Sequence, residues 1–192
     1  MLDVVFIAPN NSEKIYQSLS SNLSAIEPPT WALLLAEACR RNGFKVSILD
    51  TLAENMSDYE LENKIFSLEP RLVCFVAYGQ NVNAGTTSMS GVVRQSNAIK
   101  KSGYCGKISI VGSHVQALPK ETLEKEDSVD FVFLGEGVYS ILEILKKKDL
   151  SKESLLKCKG IAFRDGDSVV FTESSKPVNG SDMDIDLPGY AW

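Results

Sequence analysis

One histidine stands among the 192 residues, His114, in the stretch IVGSHVQALP (110–119), where an apolar run stops at Gly112-Ser113. Three kinds of chemistry are open to an imidazole at such a corner: acid–base work near neutral pH, metal ligation, or hydrogen bonding that only closes a turn. Other residue types able to do chemistry gather in three more short stretches, PNNSEK (9–14), YGQNVNAG (78–85) and GEG (135–137). Glycines, amides and hydroxyls dominate them, and their charges are limited to Glu13, Lys14 and Glu136. That mixture suits a large, hydrogen-bonding, nearly neutral ligand better than a triphosphate. Nucleotide fingerprints are missing: APNNSEK follows the first apolar run where GxGxxG would stand, and there is no GxxxxGK[ST]. A phosphoacceptor site would need an aspartate and an acidic pair where Ala77-Tyr78 and Pro9-Asn10 stand.

The elements that must position these loops are read from periodicity. Five apolar runs, DVVFIA (3–8), KVSILD (45–50), LVCFVA (72–77), KISIVG (107–112) and DFVFL (130–134), have the length of strands buried on both faces. Between them, Trp31, Leu34, Leu35, Ala38 and Cys39 form one helical stripe, and Met89, Val92, Val93, Ser96 and Ile99 form a second. Pro28-Pro29 starts the first of these helices, since proline is tolerated in a first turn. Ser57 with Glu60 makes a capping box for a helix using Leu61, Ile65 and Leu68, and Val138, Ile141, Leu142 and Leu145 place another after the fifth strand. Alternation of this kind predicts an open, doubly wound α/β fold, Rossmann-like (flavodoxin-like), with a five-stranded parallel sheet. Ligands bind such sheets at the carboxyl ends of the strands, where the four polar loops fall. After Leu150, GIAFRDGDSVVFT (160–172) reads as a β-hairpin around Asp165-Gly166. The expected division is a binding domain over 1–150, a hairpin appendage over 151–173 and a loosely packed linker over 174–192, whose turn formers and Asp182, Asp184 and Asp186 offer little to bury.

Composition narrows the function classes. With 44% hydrophobic residues, 23% charged residues and a formal net charge of −5, the chain can bury one full core, and its one short basic run, Lys146–Lys148, sits at a helix end. Nothing favours nucleic acid as a partner. No apolar stretch approaches the roughly 20 residues that span a bilayer, and MLDVVFIAPNNSEK lacks the layout of a signal peptide, so a cytoplasmic location is expected. Cys39, Cys74, Cys105 and Cys158 match neither a zinc spacing nor a disulfide framework, and reduced structural thiols are expected.

Five segments carry a resemblance: EPPTWALLLAEACRRNGFKVSILDT, YGQNVNAGTTSMSG, IVGSHVQALPKETL, VDFVFLGEGVYSILEIL and the GIAFRDGDSVV hairpin. In this order and spacing they resemble the N-terminal cobalamin-binding domain of B12-dependent radical SAM proteins, over nearly the whole chain. The resemblance implies a corrin ring lying over the strand ends with its dimethylbenzimidazole tail beside the sheet. It implies a cofactor-binding set of Asn10, Asn11, Tyr78, Gly79, Gln80, Asn81, Asn83, Gly112, Ser113, His114, Gly135, Glu136 and Gly137. Within that set the glycines would give the ring and its nucleotide access to the backbone, and residues 78–83 would shield the lower corrin face. Glu136 would accept from the tail's ribose or sit in a helix's first turn, and Trp31 would belong to the core or stack on a ring.

Departures from the family pattern matter too. The cobalt-ligating DxHxxG of methionine-synthase-like domains is replaced by Pro9-Asn10-Asn11-Ser12, so no protein imidazole is expected on cobalt. The strand-end serine of such domains falls at Val76, and their Gly-Gly after the fourth strand is Gly112-Ser113. A radical SAM reaction also needs CxxxCxxC for a [4Fe–4S] cluster, which this stretch lacks. The resemblance therefore implies a cofactor module, with the cluster and S-adenosylmethionine held by a radical SAM domain approached through DIDLPGYAW, and with methyl transfer or related radical chemistry in the longer enzyme. A stand-alone corrinoid-binding or sensing module and a flavodoxin-like FMN-binding domain are the alternative readings.

Overall fold

Val4 and Phe6 enter one hydrophobic layer and Val5 and Ile7 the opposite one, so β1 (Leu2–Ala8) presents no side chain of its centre to solvent. The computed structural model describes residues 2–11, 26–78 and 82–190, with 82–84 in backbone only. The elements that follow are α1 (Thr30–Arg41), β2 (Val46–Asp50), α2 (Asp58–Leu68), β3 (Pro70–Ala77) and α3 (Val82–Lys101). Then come β4 (Lys107–Gly112), α4 (Ser113–Ala117), α5 (Pro119–Lys125), β5 (Phe131–Phe133), α6 (Val138–Leu145) and α7 (Lys152–Leu155). The hairpin β6 (Ile161–Asp165) and β7 (Ser168–Phe171), a 3₁₀ turn over Gly180–Asp182 and α8 (Met183–Asp186) complete the described chain.

The sheet order is β2-β1-β3-β4-β5-β6-β7. Its first five strands are parallel, and β6 pairs antiparallel to β5, with Phe131 opposite Phe163 and Phe133 opposite Ile161. The hairpin is therefore no separate appendage: backbone hydrogen bonds continue through it, and one seven-stranded sheet results. Apolar side chains of α1, α6 and α7 cover one face and those of α2, α3, α4 and α5 the other, as a parallel sheet with right-handed crossovers requires.

Local chemistry explains several boundaries. Ser57 caps α2 by accepting from Glu60 N–H while Glu60 accepts from Ser57 N–H, the expected capping box, and Leu61 and Ile65 are buried below it. The second stripe also lies inward, with Met89, Val92, Ser96 and Ile99 buried. IVGSHVQALP differs from the turn its glycine suggested. Gly112 caps α4, Pro119 opens α5 at a position where no N–H is needed, and His114 lies inside a short helix. Burial on α1 is wider than one stripe: Ala32, Leu33, Ala36 and even Glu37 are enclosed, Glu37 because Arg40 and Arg41 bond its carboxylate at 2.7 and 2.9 Å. All four cysteines are free; burial pushes the Cys74 thiol up to about 12, whereas Cys105 is exposed.

The C-terminal segment also departs from expectation. Val178 and Leu187 pack on the α1/α6 layer, the Tyr139 hydroxyl donates to Asp186, Lys176 lies 4.5 Å from the Tyr139 ring centre, and Arg41 donates to the Pro188 carbonyl. Residues 174–190 form a strap across the domain. Their polar sequence hid this because the bonds run to main-chain and charged groups more than 40 residues away.

Two interactions tie element ends together. Arg71 at the start of β3 donates to the Ile144, Leu145 and Lys147 carbonyls at 2.9–3.1 Å, satisfying the end of α6. Asp130, leading into β5, accepts from Ile108 N–H at 2.8 Å, Lys107 at 2.9 Å and Lys100 at 3.0 Å. Burial alone would push the Asp130 carboxyl up, but the Ile108 amide and the two lysines outweigh it and hold the group below its ordinary value. A depressed folded-state pKa stabilises the fold above the unfolded-state value and ceases to do so as pH falls through the folded one. Asp130→Asn should therefore cost about 2 kcal/mol at pH 7 by urea unfolding. The gap to wild type should close as pH is lowered through and below the ordinary aspartate value of about 3.9.

Candidate functional site

In a strand–helix–strand crossover the helix begins near the carboxyl end of the preceding strand, so helix starts and strand ends share one rim. Trp31, in the first turn of α1 just past Pro28-Pro29, reaches this rim beside Tyr78, the residue after β3. Their rings pack at 5.3 Å between centroids and 58° between planes. Both bond the turn between β5 and α6: the Tyr78 hydroxyl donates to the Gly135 carbonyl at 3.4 Å, and the Trp31 indole N–H donates to the Glu136 carbonyl at 3.1 Å. Burial, followed by the charge of Glu136, pushes the Tyr78 phenol up, which keeps it a neutral hydrogen-bond donor. Gly137 has φ +86, and a Cβ there would lie 2.9 Å from Val111, so this turn admits little but glycine. Space beside Gly135 is open.

The Glu136 carboxylate accepts from Val178 N–H of the strap at 2.9 Å. Tyr78, Gly135, Glu136 and Gly137 thus gather on the α1/α6 side of the rim, together with Trp31. Of the other expected residues, Asn10, Asn11, Ser113 and His114 lie on the α3/α4 side. Asn11 donates to Ser88 at 3.2 Å, the Asn10 carbonyl accepts from Arg94 at 3.0 Å, and Arg94 also pairs with Asp58. His114 Nδ1 lies 3.3 Å from Thr86 Oγ1, and Ser113 faces Gly85. A groove of about 1290 Å³ runs away from the rim between α3 and α5, and among the described residues it meets the expected set only at His114. A smaller one of about 610 Å³ lies beside Asn10, Asn11 and Arg94.

Gly112 has a packing role of its own. A Cβ there would stand 2.4 Å from the Ala77 carbonyl oxygen, so the glycine lets β4 close against the end of β3. Gly79, Gln80 and Asn81 lie outside the described residues, as do Ser12, Glu13 and Lys14. Asn83 falls in the first turn of α3, within the backbone-only stretch, so the expected 78–83 loop is already helical from Val82. Thr86, Ser88 and Arg94 join the rim without having been singled out for it by sequence, and Trp31, expected in the core or stacked on a ring, joins it as well. The run TTSMS (86–90) directly after a polar strand-end loop was the available clue to Thr86 and Ser88. Trp31 was legible as a rim residue from its place in a first turn.

The polar groups here are amides, hydroxyls, an indole, a phenol, the His114 imidazole, the Arg94 guanidinium and the Glu136 carboxylate, and among the described residues no group of three or more His, Cys, Asp or Glu side chains could hold a metal ion. The rim can bind by hydrogen bonding and flat apolar contact.

Comparison with known proteins agrees with this fold. The family model described as B12 binding domain matches residues 18–145. The anaerobic magnesium-protoporphyrin IX monomethyl ester cyclase of Cereibacter sphaeroides is 24% identical over 183 residues, covering 93% of this chain and 28% of that protein. The cobalamin-dependent S-adenosylmethionine radical enzyme OxsB shares the fold. Its structure with aqua-cobalamin and S-adenosylmethionine bound superposes with a TM-score of 0.69 at 13% identity, over 97% of this chain and 24% of that one. Its apo, selenomethionine-labelled structure gives 0.58 at 12% identity, over 97% and 23%. This chain thus spans less than a third of the length of either relative.

Because Gly112 is enclosed by protein, Gly112→Ala should destabilise the fold by about 1–3 kcal/mol, the usual cost of overpacking. Urea unfolding reads this directly, and an unchanged midpoint would show that the β3–β4 junction has room for the methyl group.

Proposed function

This chain belongs to the B12-binding domain family, and we propose that it holds cobalamin over the carboxyl ends of β1, β3, β4 and β5 as the cofactor module of a radical SAM enzyme. The observation that carries the reading is the coincidence of the family match, residues 18–145, with three of the strand-end loops that form the rim. The residues present fit the group: Tyr78 and Trp31 offer flat aromatic surface, Gly135 leaves open space, and Asn10, Asn11, Ser113 and His114 supply polar groups for a corrin's amides. Residues 1–150 form the binding unit, 151–173 extend its sheet, and 174–192 lead toward a radical SAM domain that carries a [4Fe–4S] cluster and S-adenosylmethionine. The relatives' greater lengths support that arrangement.

Bound cobalamin supplies a cobalt centre able to carry a methyl group, and the longer protein uses it for methyl transfer or related radical chemistry. This chain's own residues bind and orient. Tyr78 and Trp31 are fixed by the 135–137 turn, while His114 is tied to Thr86 on the α3 side and serves as a rim residue and not as a metal ligand. The Asn10–Asn11 loop stands where related domains place a ligating histidine and supplies amides instead. Among the described residues no helix is long and apolar enough to cross a membrane; the proposal places the module in the cytoplasm.

Titrating the chain with hydroxocobalamin should give a saturable change in the visible spectrum, with corrin bands distinct from those of a bound flavin. A folded chain with no change at high-micromolar cobalamin overturns the reading. His114→Ala should alter the affinity by no more than about threefold, the worth of one modest hydrogen bond. It should leave the electron paramagnetic resonance of the Co(II) form unchanged. Nitrogen superhyperfine splitting that vanishes in His114→Ala would instead make His114 an axial ligand.

A further inference from the structure

The turn joining β5 to α6 makes three contacts with different parts of the molecule. Its Gly135 and Glu136 carbonyls take the Tyr78 hydroxyl and the Trp31 indole, and the Glu136 side chain takes Val178 N–H. Glu136 is itself exposed, with no lysine or arginine among its hydrogen-bond or ion-pair partners among the described residues. A carboxylate spent on a single main-chain amide of a distant segment holds that segment in one place.

Neighbouring contacts give the junction a fixed side and an adjustable one. Gly137 is pinned by its positive φ and by Val111 behind it, and Leu134 N–H bonds the Gly160 carbonyl at 2.8 Å. Gly160 in turn lies against Ser175 of the strap, where a Cβ on the glycine would come within 2.7 Å of the serine Cβ. Both ends of the 134–137 segment are thus set by the sheet and α6, and its middle is set by the strap through Glu136.

We infer that Glu136 is a positioning residue. By clamping Val178 it fixes the Gly135–Glu136 carbonyls, and through them the Trp31 and Tyr78 rings on the cofactor-binding rim, so the path of the C-terminal strap and the shape of the rim are set together. The inference rests on the cobalamin reading only for the consequence at the cofactor, not for the clamp itself.

The test compares Glu136→Ala with Glu136→Gln, which keeps a carbonyl oxygen in the same place. Hydrogen exchange by NMR follows the Val178 amide and the Trp31 indole N–H, with the Leu61 and Ile65 amides in the opposite layer as a control for global stability. Hydroxocobalamin affinity is measured alongside. In Glu136→Ala both reporters should exchange about tenfold faster, as loss of a charge-assisted hydrogen bond implies. The control amides should be unmoved, and cobalamin affinity should fall several-fold. Glu136→Gln should recover most of the protection and of the affinity. Unchanged exchange at Val178 or at the Trp31 indole in Glu136→Ala overturns the inference. So does an affinity loss without faster indole exchange, which would make Glu136 a direct cofactor contact, and so does equal loss in the two variants. Failure of wild type to bind cobalamin would sink the functional reading, while the exchange data would still judge the clamp.

Discussion

Four consecutive residues of β1, Val4 to Ile7, have no exposed surface, and the same holds for Leu72 to Phe75 of β3 and for Phe131 to Phe133 of β5. Burying both faces of a parallel sheet leaves no side of a strand free for polar work, because each side chain has a helix above or below it. The crossovers that cover the faces must start at the carboxyl ends of the strands, where chain direction changes and irregular backbone can meet solvent. Polar, aromatic and glycine residues accumulate there for that reason: Asn10, Tyr78, Ser113 and Glu136 each follow closely on a buried strand. The rim is what remains once the sheet's hydrophobic requirement has been met.

That requirement is also what made part of the molecule readable in its sequence. Runs such as LVCFVA and KISIVG are nearly continuous in apolar residues because neither face is wet, and the β3 and β4 strands fall within a residue or two of them. Ser57 and Glu60 announce their helix through a contact three residues long. Features governed by distant pairs were hidden. The split of the fourth crossover into α4 and α5 depends on Leu118 and Pro119 and on the fit of Gly112 against Ala77. Enclosure of Glu37 and the lie of 174–190 across α1 and α6 involve partners such as Arg41 with Pro188 and Tyr139 with Asp186. Polar residues that bond main chain far away look, one by one, like the polar residues of a loose linker.

The candidate site shows the same division. Strand-end placement of Tyr78, His114 and Glu136 followed from periodicity, but their grouping did not. Tyr78 and Glu136 meet Trp31 on the α1/α6 side, and His114 meets Thr86 on the α3 side, so residues that seemed one set flank the strand ends from opposite layers. Glycine carries similar ambiguity. Gly112, Gly135 and Gly137 look alike in sequence, yet one fits beneath a carbonyl, one faces open space and one supplies a positive φ. Only the surroundings distinguish these uses.

The hairpin sets where the chain goes next by simple parity. β6 starts opposite Phe133 at the rim and runs away from it, and β7 brings the chain back, since Phe171 pairs with Ala162. Two added strands return the polypeptide to the level from which it left, whereas one or three would have delivered it to the far edge of the sheet, roughly 15 Å away for strands of this length. An even count therefore starts the strap at the level of the strand-end loops, where Val178 meets Glu136, and from there it runs along the helix layer to Arg41 at the far end of α1. The level at which the strap sets out is thereby encoded in the number of strands, independently of any residue of the rim.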